Sequence, residues 1–124
     1  MSKILIIDDD VDLVDNLQAV LEANGHGVSS VHTRHDGMVA VDTVKPDLII
    51  MDVMMEEPDD GFTLAGDLRR AGHTTPILML TSVSKALGMD FEKDNDLVPV
   101  DAFEEKPIKP NRLIAKVNEL LNRG

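Results

Sequence analysis

Short, continuously apolar runs alternate with longer amphipathic stretches along this chain, and this alternation restricts its fold more than any other feature. Apolar runs that do not alternate with polar residues are typical of strands covered on both faces. Amphipathic stretches between such runs predict helices that connect parallel strands. The sequence therefore predicts an α/β fold built on a parallel sheet.

The predicted elements follow from these runs and from the residues that end them. The predicted strands span residues 3–7, 27–31, 47–51, 76–80 and 100–103. The predicted helices span residues 11–23, 37–44 and 62–71, and a last helix begins near Pro110. Residues 32–36 and 53–61 are predicted to be loops. Residues 82–99 show no clean helical period, so we expect a short or irregular fourth helix there.

Composition excludes several classes of function. At 124 residues the chain is long enough for one domain, and the absence of Cys excludes disulfides, thiol catalysis and cysteine zinc sites. A net charge of −11 repels nucleic acid and anionic lipid, so we expect no direct DNA binding and a basic or apolar partner. No apolar run is long enough to span a bilayer, which predicts no membrane insertion and a cytoplasmic location.

Polar residues of different kinds close four of the apolar runs. The closing residues are, in chain order, Asp8, Asp9 and Asp10; Asp52; Thr81 and Ser82; and Lys106 with Pro107. The carboxyl ends of parallel strands lie at one edge of a sheet, where ligands bind. We therefore expect carboxylates, a hydroxyl and an ammonium to meet at this edge, as a site for a divalent cation and a phosphoryl group.

This set of residues, in this order, resembles the receiver domain of bacterial response regulators. The resemblance covers residues 1–124 and leaves no output domain, so it implies a stand-alone, single-domain response regulator of a two-component phosphorelay. It implies the flavodoxin-like, doubly wound fold, in which five parallel strands are ordered 2-1-3-4-5 with helices on both faces. It further implies no dedicated substrate turnover, only the domain's own phosphorylation and slow dephosphorylation.

The resemblance assigns a role to each acidic residue. Asp52 would be the phosphoacceptor, taking the phosphoryl group from a sensor histidine kinase or a phosphotransfer protein. Asp9 and Asp52 would ligate Mg²⁺ directly, with the backbone carbonyl of Met54, and Asp8 would act through water. The charges agree with this assignment, because clustered carboxylates repel each other unless a cation neutralises them, and oxygen ligands suit Mg²⁺. Asp10 is predicted to begin a helix as its N-cap or first-turn acid.

The remaining site residues would bind and report the phosphoryl group. Lys106 would pair with one phosphoryl oxygen, and Thr81 would donate its hydroxyl to another. Thr81 and Phe103 would form the switch, since Phe103 would follow Thr81 inward after phosphorylation. The signal would pass to an unknown downstream protein, and a homodimer is possible. The family's Lys-Pro step, here Lys106-Pro107, is often a cis bond. The four histidines are predicted to lie at the surface.

Two stretches depart from the family pattern. The loop after Asp52 is about one residue longer than usual and carries four acids, which are either simply solvated or set how a kinase or phosphatase docks. Residues 82–99 lack the family's Gly-Ala pair. The positions that tune hydrolysis hold Met54 and Val83, neither of which can hydrogen-bond an attacking water well. This predicts a long-lived acyl phosphate.

Other functions are compatible with parts of the pattern. A phosphorylation-independent interaction module would keep the fold without the chemistry. An aspartyl-phosphate hydrolase of the haloacid dehalogenase type uses similar residues, but it needs a second Asp where this chain has Met54. A nucleotide-binding flavodoxin-like protein is a third candidate, although no Gly-rich turn follows the first strand.

Overall fold

Five parallel strands form one sheet in the computed structural model, which describes residues 2–52, 60–82 and 100–122. The strands are β1 (Lys3–Ile7), β2 (Gly27–Val31), β3 (Leu48–Asp52), β4 (Ile77–Ser82) and β5 (Ala102–Lys106). They pair in the order β2-β1-β3-β4-β5, and every pair is parallel. The predicted flavodoxin-like topology is confirmed.

Helices cover both faces of this sheet, as predicted. They are α1 (Val11–Ala23), α2 (Arg34–Val44), α3 (Asp60–Arg70) and the C-terminal helix (Pro110–Asn122). Helices α2 and α3 pack on one face, and α1 and the C-terminal helix pack on the other, which we call the α1 face. The predicted irregular fourth helix lies outside the described residues. Among the helices that the structure describes, none has the length and apolar character required to cross a membrane.

Side-chain caps set the starts of α1 and α2. The Asp10 carboxylate accepts a hydrogen bond from the Leu13 amide at 3.1 Å, which confirms Asp10 as the N-cap of α1. The Thr33 hydroxyl oxygen accepts one from the Asp36 amide at 3.0 Å, so α2 begins at Arg34. The prediction of a loop at residues 32–36, with the helix starting at residue 37, was therefore wrong, because it overlooked the threonine cap.

The strand ends at the carboxyl edge differ from the predicted ones. Strand β3 runs one residue later than predicted, and β4 continues to Ser82 instead of ending at residue 80. The fifth strand is confirmed, but its predicted bounds, residues 100–103, were wrong. Strand β5 spans Ala102–Lys106, and its Lys106 pairs in register with Ser82. Backbone hydrogen bonds extend a strand regardless of side-chain polarity, so polar residues did not end these strands. Helix α3 likewise begins at Asp60, two residues before its predicted start.

Arg69 forms hydrogen bonds that stabilise the amino edge of the sheet, opposite the carboxyl edge. Its guanidinium donates to the carbonyls of His73 and Thr75 at 3.0 and 2.8 Å and to the Asp101 carboxylate at 3.0 Å. The same carboxylate accepts the backbone amide of Ile77 at 2.8 Å. These contacts join the end of α3 to the starts of β4 and β5, which fixes where β5 enters the sheet.

Candidate functional site

Three carboxylates meet at the carboxyl edge of the sheet. Asp8 follows β1 directly, Asp52 is the last residue of β3, and both are buried, whereas Asp9 is exposed. One carboxylate oxygen from each of the three residues can be chosen so that all lie within 4.8 Å of one another. The structure therefore brings the three predicted acidic residues together, with two inside the protein and one open to solvent.

Strand pairing places these carboxylates. Ile7 of β1 pairs with Met51 of β3. The residues that follow them, Asp8 and Asp52, therefore lie side by side. The Asp8 amide donates to the Val31 carbonyl at 3.1 Å, and its Oδ1 accepts the Asp10 amide at 2.9 Å. Asp8 is thus fixed through its backbone and its side chain.

Lys106 supplies the positive charge of the site. Its Nζ lies 2.9 Å from Oδ2 of Asp8 and 3.2 Å from Oδ1 of Asp52, and its side chain is only 16% exposed. The Lys106–Pro107 peptide bond is cis, in agreement with the prediction from the sequence. The ammonium therefore bridges the two buried carboxylates.

The pKa values of Asp8 and Lys106 reflect this crowding of charge. Burial raises the pKa of Asp8, and the Asp10 amide and the Lys106 ammonium offset only part of that effect. Burial by itself would lower the pKa of Lys106, but the hydrogen bonds and charges of Asp8 and Asp52 together raise it above its ordinary value. The ammonium therefore stays charged at neutral pH. Additional positive charge would further stabilise the ionised carboxylates.

Thr81 and Phe103 lie on the face of the sheet that α2 and α3 cover. Phe103 packs against that core, and its ring centroid lies 6.4 Å from that of Phe62. Thr81 is buried near the end of β4, and strand alternation puts it on the same face as Met79, which is the register partner of Phe103. Leu80 of β4 pairs with Asp52, so Thr81 follows the partner of the acid. Met54, the predicted carbonyl ligand, lies outside the described residues.

Sequence reasoning missed one neighbour of the acid pair, His32. The sequence placed it at the surface, and it is exposed, but its Nδ1 donates to the backbone carbonyl of Asp8 at 2.9 Å. The signal was available, because His32 directly follows β2, and β2 is the parallel neighbour of β1.

Comparisons with known proteins identify the family to which this chain belongs. A sequence profile described as the response regulator receiver domain matches residues 4–118. This chain belongs to the response regulator receiver domains. The receiver is 34% identical over 126 residues to the alkaline phosphatase synthesis transcriptional regulatory protein PhoP of Bacillus subtilis, covering 98% of this chain and 49% of the relative. It is also 34% identical over 130 residues to the transcriptional regulatory protein CpxR of Escherichia coli K12, covering 100% and 51% of the two chains.

Solved structures agree with the family assignment. A two-component response regulator from Clostridium difficile superposes on the receiver with a TM-score of 0.85 at 30% identity, covering 99% of this chain and 98% of the other. A Francisella response regulator receiver domain gives a TM-score of 0.85 at 26% identity, with the same coverage. The receiver spans about half the length of the curated relatives that it matches.

Family membership gives the carboxylate cluster a chemical context. Receiver domains accept a phosphoryl group from histidine kinases and generally use Mg²⁺ at an acidic pocket. The donor set of this receiver fits that ion, because carboxylate oxygens are its preferred protein ligands and the exposed Asp9 leaves room for coordinated water. The family assignment also removes the main support for the haloacid dehalogenase and nucleotide-binding alternatives.

Proposed function

We propose that this receiver accepts a phosphoryl group from a histidine kinase, or from a phosphotransfer protein, on Asp52 in a Mg²⁺-dependent reaction. The observation that carries the proposal is the bridge that Lys106 makes to Asp8 and Asp52. A buried carboxylate next to a fixed ammonium has a ready counter-charge for the phosphoryl group that it would receive.

In the proposed reaction, a carboxylate oxygen of Asp52 attacks phosphorus and forms an acyl phosphate. The bond from phosphorus to the imidazole nitrogen of the donor breaks, and the imidazole leaves with the electron pair. Lys106 neutralises charge on the phosphoryl oxygens, and Thr81 donates its hydroxyl to one of them. Positioning and charge neutralisation supply most of the catalysis in such transfers.

The residues that would hold Mg²⁺ are Asp9 and Asp52, with Asp8 acting through water and the backbone carbonyl of Met54 as a further ligand. The bound ion would neutralise the carboxylates and the incoming phosphoryl oxygens. Asp8 and Asp9 differ in burial, which supports different roles for them. The buried Asp8 would orient Lys106, while the exposed Asp9 would be accessible to hydrated Mg²⁺ from solvent.

The proposed output is phosphorylation-dependent binding to a downstream protein, directly or through a homodimer. Thr81 and Phe103 would carry the change, and their position on one face of the sheet supports this pairing. The stand-alone organisation and the cytoplasmic location stay predictions of the sequence. The intact mass of the protein isolated from its native cell tests the first of them.

The test of the proposed function is incubation with Mg²⁺ and a small phosphodonor, followed by intact mass. We expect the parent to gain one phosphoryl group and Asp52→Asn to gain none. Asp10→Asn is the matched control, because it removes one charge close to the site but keeps the helix cap. A parent that gains no mass while still binding Mg²⁺ would instead support the phosphorylation-independent interaction module.

A further inference from the structure

A buried glutamate interrupts the aliphatic interior of the α1 face. The sheet residues that build this face are Ile4, Ile6, Leu48, Ile50, Leu78 and Leu80. Glu104 lies in the middle of β5 as the register partner of Leu80, and its side chain is only 7% exposed. A carboxylate removed from water in this way requires a cation or a proton.

Arg112 of the C-terminal helix provides that cation. Its Nε donates to Oε1 of Glu104, and its Nη2 donates to Oε2 at 3.1 Å. The guanidinium therefore binds both carboxylate oxygens in a bidentate ion pair. The Arg112 side chain is itself 66% exposed. The charge of Glu104 is thus neutralised from the solvent side of the helix, without any group from the phosphorylation site.

Lys106 lies on the same face of β5, two residues beyond Glu104. Two residues of a strand span about 6.6 Å, which is within the reach of a lysine side chain. The ammonium of Lys106 is shared between Asp8 at 2.9 Å and Asp52 at 3.2 Å. Lys106 therefore contacts two buried carboxylates, and a third, that of Glu104, lies within its reach but is held by Arg112.

We propose that Arg112 is a positioning residue for phosphoryl transfer: by neutralising Glu104, it leaves the Lys106 ammonium to Asp8 and Asp52. This inference rests on the proposed role of Lys106 in that reaction. When Arg112 is absent, the buried Glu104 carboxylate draws the Lys106 ammonium along the strand. Asp52 and the phosphoryl oxygens then lose their counter-charge, and transfer slows.

The two lysines that flank Arg112 in sequence are poorer partners for Glu104. Lys109 is exposed in the turn before the C-terminal helix and keeps its hydration. Lys116, one turn further along that helix, pairs with Glu119 at 3.1 Å. Lys106, which is already largely buried on the face of Glu104, gives up the least water by turning to it.

The test compares rates of phosphorylation by a small phosphodonor with Mg²⁺, followed by intact mass well below the unfolding midpoint. We expect Arg112→Met to be phosphorylated about tenfold more slowly, less than the loss of a whole charge-stabilising donor would cause. Lys116→Met is the matched control on the same helix and should keep the parent rate. The double variant Glu104→Gln/Arg112→Met should recover to within about twofold of the parent, because no carboxylate then competes for Lys106.

Two results would overturn the inference. If folded Arg112→Met reacts at the parent rate, Lys106 has not moved and Arg112 does not position it. If the double variant stays as slow as the single one, Arg112 acts through something other than Glu104. Should Arg112→Met fail to fold, Arg112→Gln replaces it. Its amide can still donate to the carboxylate but brings no positive charge, so Glu104 stays un-neutralised and the same two outcomes apply.

If the proposed function fails, the parent itself gains no phosphoryl group. The ¹⁵N resonance of the Lys106 ammonium then reports the environment of this group directly. We expect this resonance to shift in Arg112→Met and to return in the double variant. An unchanged resonance in Arg112→Met would contradict the inference without reference to phosphorylation.

Discussion

The Lys106 ammonium lies 2.9 Å from Oδ2 of Asp8, although β3 and β4 lie between β1, which Asp8 follows, and β5, which ends at Lys106. The two residues are 98 positions apart in sequence. Asp52 at the end of β3 lies in the same cluster, with Oδ1 at 3.2 Å from the ammonium. The Lys106 side chain therefore links the end of β1 to the end of β5 across the carboxyl edge of the sheet.

Replacing Lys106 with Met tests this connection. We expect phosphorylation of Asp52 to slow by about 100-fold, since a fixed charge facing the phosphoryl oxygens is lost. The free energy of unfolding of the metal-free protein should fall by about 3 kcal/mol, because two buried carboxylates lose their shared partner. Chemical denaturation measures this loss, and added Mg²⁺ should restore part of it. Lys109→Met, which removes an exposed charge nearby, should change neither quantity by much.

The raised pKa of Asp8 predicts how the metal-free protein depends on pH. Burial favours the protonated carboxyl of Asp8, so the folded protein binds this proton more tightly than the unfolded chain does. The stability that this proton adds is complete below the unfolded-state pKa of Asp8 and is lost as pH rises through its raised folded-state pKa. At neutral pH the ionised Asp8 therefore lowers the free energy of unfolding. We expect Asp8→Asn to raise the thermal midpoint of metal-free protein at neutral pH, while Lys106 keeps its contact with Asp52.

The same variant should respond less to metal. Mg²⁺ should raise the midpoint of the parent, and a chelator should reverse the rise, because the ion neutralises the carboxylate cluster. Mg²⁺ should raise the thermal midpoint of Asp8→Asn by less than that of the parent, and it should raise the midpoint of Asp9→Ala least. A lowered metal-free midpoint in Asp8→Asn, together with a full response to Mg²⁺, would contradict this account of the charges.

Close packing at Gly37 predicts opposite outcomes for two glycine substitutions. A Cβ at Gly37 would lie 3.0 Å from side-chain carbons of Ile7 and Leu64. We therefore expect Gly37→Val to lower the free energy of unfolding by about 1–3 kcal/mol through overpacking. A Cβ at Gly66 would meet only the mobile end of Arg70, so Gly66→Ala should add about 0.5–1 kcal/mol. Equal effects at the two positions, measured by denaturation, would argue against this packing of α2.

Because Asp10 is the N-cap of α1, we expect its replacement to change the stability of the protein without changing its phosphorylation rate. Asp10→Ala should lower the free energy of unfolding by about 1 kcal/mol, because the Leu13 amide loses its acceptor. Asp10→Asn should lose little, since asparagine caps helices about as well. Both variants should be phosphorylated at the parent rate. A slow rate in both would mean that Asp10 belongs to the metal site.

The sequence predicts that the acyl phosphate is long-lived. Met54 and Val83 occupy the two positions that tune hydrolysis in this family, and neither side chain can orient an attacking water by hydrogen bonding. After removal of the phosphodonor, we expect the phosphorylated protein to persist for minutes or longer. Met54→Asn should shorten this lifetime, and decay of the parent within seconds would oppose the prediction.

Most of the fold could be predicted because its signals are local. The apolar runs that contain Ile4 and Ile50 have no alternating polar residues, which is typical of strands covered on both faces. The acidic residues that end these runs lie together at the carboxyl edge of the sheet. The errors lie at element ends, where neighbours decide the outcome. Thr33 extends α2, and pairing with β4 carries β5 as far as Lys106, although its last residues are charged.

Within the site, residue types were easier to predict than partnerships. Asp8, Asp9 and Asp52 could be placed together because the ends of parallel strands meet. The contacts that orient them could not, because they depend on side-chain rotamers and burial. The hydrogen bond from His32 to the Asp8 carbonyl is one such contact. Another is the grip of Arg112 on Glu104, where the sequence shows only two adjacent glutamates before the lysine.

The identity of the phosphorylated residue tests the central claim most directly. Borohydride reduces an aspartyl phosphate to homoserine, so peptide mass mapping after incubation with Mg²⁺ and a small phosphodonor locates the acyl phosphate. We predict homoserine at position 52 and at no other carboxylate, with none formed when Mg²⁺ is withheld. Homoserine at Asp8 or Asp9, or its absence from a folded, Mg²⁺-bound parent, would contradict the proposed role of Asp52.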